Sequence, residues 1–338
     1  MRPRERVEAV LNFTQPDRIP VISPFQGFWA IVASGLKVTE AFAVPSKAAE
    51  SQIRMLEMAP FDGLEVFWDW LTPAEACGCK VVFPEEGNPA TMDTAIKSLS
   101  EVDKLEVPDI RRHARSMDDL NLATHLNKRL CMDRFTYITL VLPFTLAGEL
   151  RGVEKMMLDI LKKPAELHPL IEYSQKVLEE YLKFANDTGV DGIFWCDPVA
   201  SAGLISPKQF RSFTMPYEKS LLQKTREADL KALLHICGNT SDRLDAILEI
   251  SPDLMSLDCA VDLTKAMKAL YGRVPIMGNV STTDLFLGKP DDIRAASKSC
   301  MKSAGMRGFA LGAACDIPIG SPIENVKALC NSVLEKDT

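Results

Sequence analysis

Apolar positions along this chain fall into two alternating patterns. Short runs rich in Val, Ile, Leu and Phe, bounded by Gly, Pro, Asp or Asn, occur at 20–23, 63–67, 137–142, 192–196, 232–237, 254–258, 274–278 and 308–312. Continuous short runs of this kind are how strands buried on both faces of a parallel sheet read. Between them lie longer stretches with apolar residues at helical spacing. The segment 163–189, KPAELHPLIEYSQKVLEEYLKFANDTG, predicts an amphipathic helix ended by Gly189. The segment from 206 opens with Ser206 as N-cap and Pro207 at the first helical position, and Ser321-Pro322 repeats that start.

Eight such strands alternating with helices predict an α/β fold, a (β/α)8 TIM barrel, with 1–338 as a single catalytic domain. The strands are preceded by an N-terminal extension, and CGCKVVFPEEGNPATM (77–92) reads as a hairpin inserted after strand 2. A doubly wound open sheet is the alternative arrangement. The barrel carries its own expectation, since chemistry collects at the C-terminal ends of barrel strands. Those ends hold Trp68-Asp69-Trp70, Trp195-Cys196-Asp197, His235-Ile236-Cys237, Asp258-Cys259, Gly278-Asn279 and Cys315-Asp316.

His235 and Cys237, two apart on a strand, point to the same side. Cys315, just past another strand end, can supply a third ligand. One imidazole and two thiolates suit zinc. Asp258 or Cys259 is the candidate fourth ligand; a water or the substrate could fill the position instead. On spacing alone, an ordinary buried His and Cys compete with this reading. His113, His125 and His168 fall in helical or loop context, and Cys77 and Cys79 read as structural.

Composition narrows the classes. The chain has 338 residues, 46% hydrophobic and 25% charged, with net charge -7. An acidic balance speaks against nucleic acid as partner. No apolar run reaches the roughly 18 residues of a membrane span, and the charged N-terminus lacks a signal peptide's apolar core. Nine scattered cysteines suit thiols or metal ligands better than a disulfide framework. Together these predict a cytoplasmic protein without membrane or nucleic-acid partners.

Three stretches carry a family likeness: LLHICGNTSDRLDAILE, VPIMGNVSTTDLFLGKP and ALGAACDIPIGSPIENVKAL. With CDPVASAGLISPKQFRSF and the N-terminal RERVEAVLNFTQPDRIPV, the chain resembles the uroporphyrinogen decarboxylase superfamily, and within it the zinc-dependent corrinoid methyltransferases. The decarboxylases' arginine-rich stretch after the first strand has no counterpart in SPFQGFWAIVASG. The resemblance implies a TIM barrel, zinc held by His235, Cys237 and Cys315, and methyl exchange with a corrinoid (a methylcobamide) on a separate corrinoid-binding protein. The coenzyme M enzymes carry acidic residues where this chain has Asp258-Cys259, a departure that leaves the fourth ligand open. Dimerisation is common in the superfamily, and a homodimer is carried over on that ground alone.

Two chemistries fit such a site. Zinc can activate a thiol acceptor such as coenzyme M, or it can act as Lewis acid on a methyl ether whose methyl passes to the corrinoid. Asp197 and Asp69 are the candidate acid–base residues, with Asp316 as a further choice. Trp29, Trp68, Trp70 and Trp195, with Phe25 and Phe28, predict an aromatic wall, and Asn279 completes the substrate-binding set. Such a wall suits a methoxyaromatic, so the expected activity is demethylation of that substrate class. Transfer to coenzyme M or to another thiol or pterin is the alternative. A decarboxylase-like or non-catalytic tetrapyrrole-binding barrel is the alternative from another class.

Overall fold

The computed structural model describes residues 1–335 apart from Trp68, Glu86, Cys131 and Met132. In chain order the strands are β1 (Gly63–Phe67), β2 (Lys80–Val82), β3 (Ala90–Asp93), β4 (Phe135–Val141), β5 (Gly192–Cys196), β6 (Lys231–His235), β7 (Leu254–Ser256), β8 (Ile276–Val280) and β9 (Phe309–Ala313). β2 and β3 pair antiparallel as the expected hairpin. The other seven form one sheet in the order β1-β4-β5-β6-β7-β8-β9, with every neighbour parallel.

The first expected strand, 20–23, is reduced to a single bridge between Val21 and Leu311 of β9. Pro20 and Pro24 bracket it, and neither has an N–H to extend a ladder. It still closes the sheet. Ile22 N donates to the Leu311 carbonyl at 3.0 Å, and Leu311 N donates to the Pro20 carbonyl at 2.9 Å. On its other side the Val21 carbonyl accepts from Asp62 N at 2.7 Å. The segment therefore stands between β9 and β1, and the arrangement is a closed barrel rather than an open sheet.

Alternation along each strand sorts two cores. Phe135, Tyr137, Phe194, Cys196, Leu233, Leu254, Met277 and Ala310 face inward, with Ile22 and Phe25 above and Val7 and Val10 of the helix Pro3–Leu11 below. Ile193, Trp195, Leu234 and Leu311 face outward against the helices. At the floor, Arg18 grips the fully buried Asp62 carboxylate with two nitrogens, at 2.7 and 2.9 Å. Arg6 adds a third contact at 3.3 Å.

The helix signals are realised in two of three places. Gly189 ends Pro164–Thr188 in the left-handed conformation, and Ser206 caps Pro207–Phe213. Ile323–Asn331 starts one residue later than Ser321-Pro322 predicts, with Pro322 itself at the cap. Among the described residues, no helix is long and apolar enough to cross a membrane.

Candidate metal centre

His235 is the last residue of β6 and points into the barrel. Its Nε2 lies 3.3 Å from Cys237 Sγ, and Cys237 Sγ lies 3.6 Å from Cys315 Sγ, which the chain delivers two residues after β9. The three ligand atoms all lie within 4.8 Å of one another. A tetrahedral zinc with ordinary Zn–N and Zn–S bonds has ligand–ligand edges of roughly 3.4–3.8 Å, so the donor set fits that ion in type and in spacing. The other imidazole nitrogen, Nδ1, is 3.0 Å from Ser256 Oγ, directly across on β7. That contact orients the ring and leaves Nε2 for a metal. The adjacent Cys237 sulfur, then burial, push the Cys315 thiol well above its ordinary value, with His235 opposing. Two close sulfurs are costly to ionise unless a cation joins them.

A cavity of 210 Å³ opens beside the cluster. Phe25, Trp70, Val141 and Pro198 give it apolar walls, while Asn88 of the hairpin and Asp316 supply its polar edge. Phe25 sets its ring edge-on to His235 and to Trp70, each at 5.8 Å, and Phe28 backs Trp70 at 5.2 Å. Asn88 Nδ2 donates to Asp316 Oδ2 at 3.3 Å, so the hairpin tip touches the rim. Burial pushes the Asp316 carboxyl up to about 7.

Other expected site residues lie elsewhere. Asp197 follows the outward-facing Trp195 by two residues and shares its side. Its Oδ1 accepts from Thr145 Oγ1 at 2.5 Å, and its neighbour is Glu218 of Met215–Glu227 rather than the cavity. Asp69 is buried in an ion pair with Arg115 at 2.8 Å, and Arg115 stacks over Phe83. Asp258 spends both carboxylate oxygens on backbone, accepting from Gly238 N and Ala260 N at 2.9 Å each, and Cys259 is exposed. Neither joins the three-residue ligand cluster. Asn279 Nδ2 donates to the Asp258 and Val261 carbonyls at 3.0 Å, bracing the loop after β7. Trp29 and Trp195 are fully buried outside the barrel, donating to the Ser321 carbonyl and to Thr225 Oγ1. Trp68 lies outside the described residues. His113 and His168 are held by Ser116 and Tyr217, and His125 lines an outer groove.

Two inward groups are absent from the expected set. Cys196 lines the cavity from β5. Glu65 sits fully buried in β1, accepting from Gln26 N at 2.7 Å and Gly27 N at 2.9 Å at the start of Gly27–Ala33. Burial pushes its carboxyl up to about 8. An acid in an otherwise apolar strand, GLEVF, is the signal that marks it.

Comparison with known proteins adds the lineage. The methylcobamide:CoM methyltransferase MtbA of Methanosarcina mazei is 25% identical over 331 residues, covering 97% of this chain and 96% of that protein. The uroporphyrinogen decarboxylase of Chlorobium phaeobacteroides is 31% identical over 271 residues, covering 77% and 75%. Among solved structures, a methyltransferase from Methanosarcina mazei superposes with a TM-score of 0.88 at 24% identity, covering 98% of each chain, which speaks for the fold. The sequence profile described as Uroporphyrinogen decarboxylase (URO-D) matches residues 2–335. With a closed parallel barrel beneath that match, this chain belongs to the uroporphyrinogen decarboxylase (URO-D) family, on the side where its corrinoid methyltransferases lie.

Proposed function

We propose that this protein is a zinc-dependent methyltransferase that takes a methyl group from a corrinoid on a separate protein and passes it to a small thiol. One observation carries the reading: His235, Cys237 and Cys315 converge at the strand ends beside a cavity, in a chain similar to methyltransferases named for methylcobamide and CoM. His235, Cys237 and Cys315 would hold the zinc, and the chemistry it would supply is a lowered proton affinity of a coordinated thiol. His235 would contribute an imidazole nitrogen, with the ring oriented by the Ser256 hydroxyl. Cys237 and Cys315 would contribute two thiolates that offset the charge of a divalent ion before the acceptor binds. Phe25, Trp70 and Val141 exclude water around the incoming sulfur. The acceptor's sulfur then bonds to the methyl carbon, the cobalt–carbon bond breaks with both electrons left on cobalt, and the thiol proton leaves to solvent.

The comparisons support the thiol-acceptor side over demethylation of a methoxyaromatic, because the similar methyltransferase is named for CoM, a thiol. The second reading keeps one supporting observation, the Phe25–Trp70 wall. Asp69 and Asp197, the candidate acid–base residues, act from outside the cavity and serve this reading as supports of the loops around it.

The test is metal content by elemental analysis after zinc loading, on wild type and on Cys237→Ala, alongside loss of methylcobalamin absorbance with thiols or methoxyaromatics present. About one zinc per chain, lost in the variant together with thiol methylation, is the expected result. A wild type that takes up no zinc overturns the proposal.

A further inference from the structure

The cavity beside the metal cluster is small and one-sided in charge. At 210 Å³ it falls below the roughly 300–1,000 Å³ of pockets for drug-sized ligands. Among the described residues that line it there is no lysine or arginine. One carboxyl group lines it instead. Asp316 lines it directly; Oδ2 is met by Asn88, but Oδ1 is buried with no hydrogen-bond donor. A buried acceptor without a donor is a standing cost that a donating ligand removes. Phe25 and Trp70 also line it, and aromatic rings are groups that attract a cation.

We infer that Asp316 selects the acceptor by charge: the thiol taken by this site carries an ammonium group, as an aminothiol does, and a thiol with an anionic head group is disfavoured. The inference rests on the thiol-acceptor reading above and narrows it. The ammonium donates to Asp316 Oδ1 while the sulfur meets the metal. A sulfonate would place its charge beside the Asp316 carboxyl group with no described cation on the cavity wall to receive it.

The experiment uses the full chain loaded with Co(II), whose thiolate charge-transfer and d–d bands report thiol coordination directly. Cysteamine, 2-mercaptoethanol and 2-mercaptoethanesulfonate are titrated at one neutral pH into wild type and Asp316→Asn. Comparing the two proteins cancels the thiols' own proton affinities. Wild type is expected to bind cysteamine at least about tenfold tighter than the sulfonate, with 2-mercaptoethanol between. Asp316→Asn is expected to shrink that ratio to about threefold or less. A sulfonate that binds wild type as tightly as cysteamine overturns the inference whether or not the variant folds, and so does a ratio unchanged by the substitution. If no thiol perturbs the cobalt bands, the thiol-acceptor reading itself falls and takes this inference with it.

Discussion

Ser256 Oγ sits 3.0 Å from His235 Nδ1, and both residues are fully buried. The pair spans neighbouring strands in register, so the imidazole is aimed by the sheet itself. Removing the hydroxyl takes away the contact that orients the ring without touching any sulfur. Ser256→Ala is expected to weaken zinc binding about tenfold or more, read by competition with a chromophoric chelator. Unchanged affinity would show that the hydroxyl does not act on the metal.

Asp258 and Cys259 offer a contrast. Asp258 braces the Gly238 turn beside Cys237, whereas Cys259 faces solvent. Cys259→Ser should leave zinc stoichiometry and affinity as in wild type. Asp258→Ala should keep the stoichiometry while lowering affinity, because the turn that presents Cys237 loosens. Loss of the metal in Cys259→Ser would make that thiol a ligand and defeat the three-residue centre.

At the barrel floor, Asp62→Ala strips the partner from Arg18 and Arg6 and removes the acceptor for Val21 N at 2.8 Å. Breaking a buried ion pair on one side costs about 3–5 kcal/mol. The urea midpoint should fall accordingly, without change in the unfolding slope. A shift equivalent to less than about 1 kcal/mol would mean that the floor is solvated and the pairing weak.

Asp197 and Glu218 make stability depend on pH. Burial holds Asp197 up to about 6, and burial with the neighbouring Asp197 raises Glu218 well above the ordinary range. Both folded-state values lie above those of the unfolded chain, so the folded protein keeps protons that the unfolded chain releases. The pair's contribution is fully present below about pH 4 and is lost as pH rises through the folded values. Glu218→Gln replaces the shared proton with a permanent amide donor. The drop in urea midpoint between about pH 5 and about pH 8 should therefore be smaller in the variant. An equal drop in both proteins would place the proton elsewhere.

Much of this was legible in the chain. Strand positions follow from apolar runs, and His235 with Cys237 follows from strand parity. Strands buried on both faces hide which parity faces in, however, because both faces are apolar. Trp195 and Asp197 look as well placed at a strand end as Cys196 does, yet they point out and it points in. Asp258 fails for another reason: β7 ends at Ser256, so the side chain two residues on belongs to a turn and answers to backbone donors instead. Trp29 could not be placed from sequence, since its partner, the Ser321 carbonyl, lies 292 residues away. The Pro20 and Pro24 that shorten the first strand were visible throughout.

The wedging of Val21 between β1 and β9 has a consequence for synthesis on the ribosome. Leu311, the residue that seals the ring, is translated nearly three hundred positions after the segment it meets. Until it emerges, the growing chain carries two raw sheet margins and an open apolar lumen, the surfaces on which nascent chains stick to one another. Closure is thus a late, whole-chain event, and a polypeptide halted before Leu311 lacks the stave that completes the wall. The same late strand leads into Cys315, so the ring closes and the third residue of the candidate metal cluster arrives in one step of assembly.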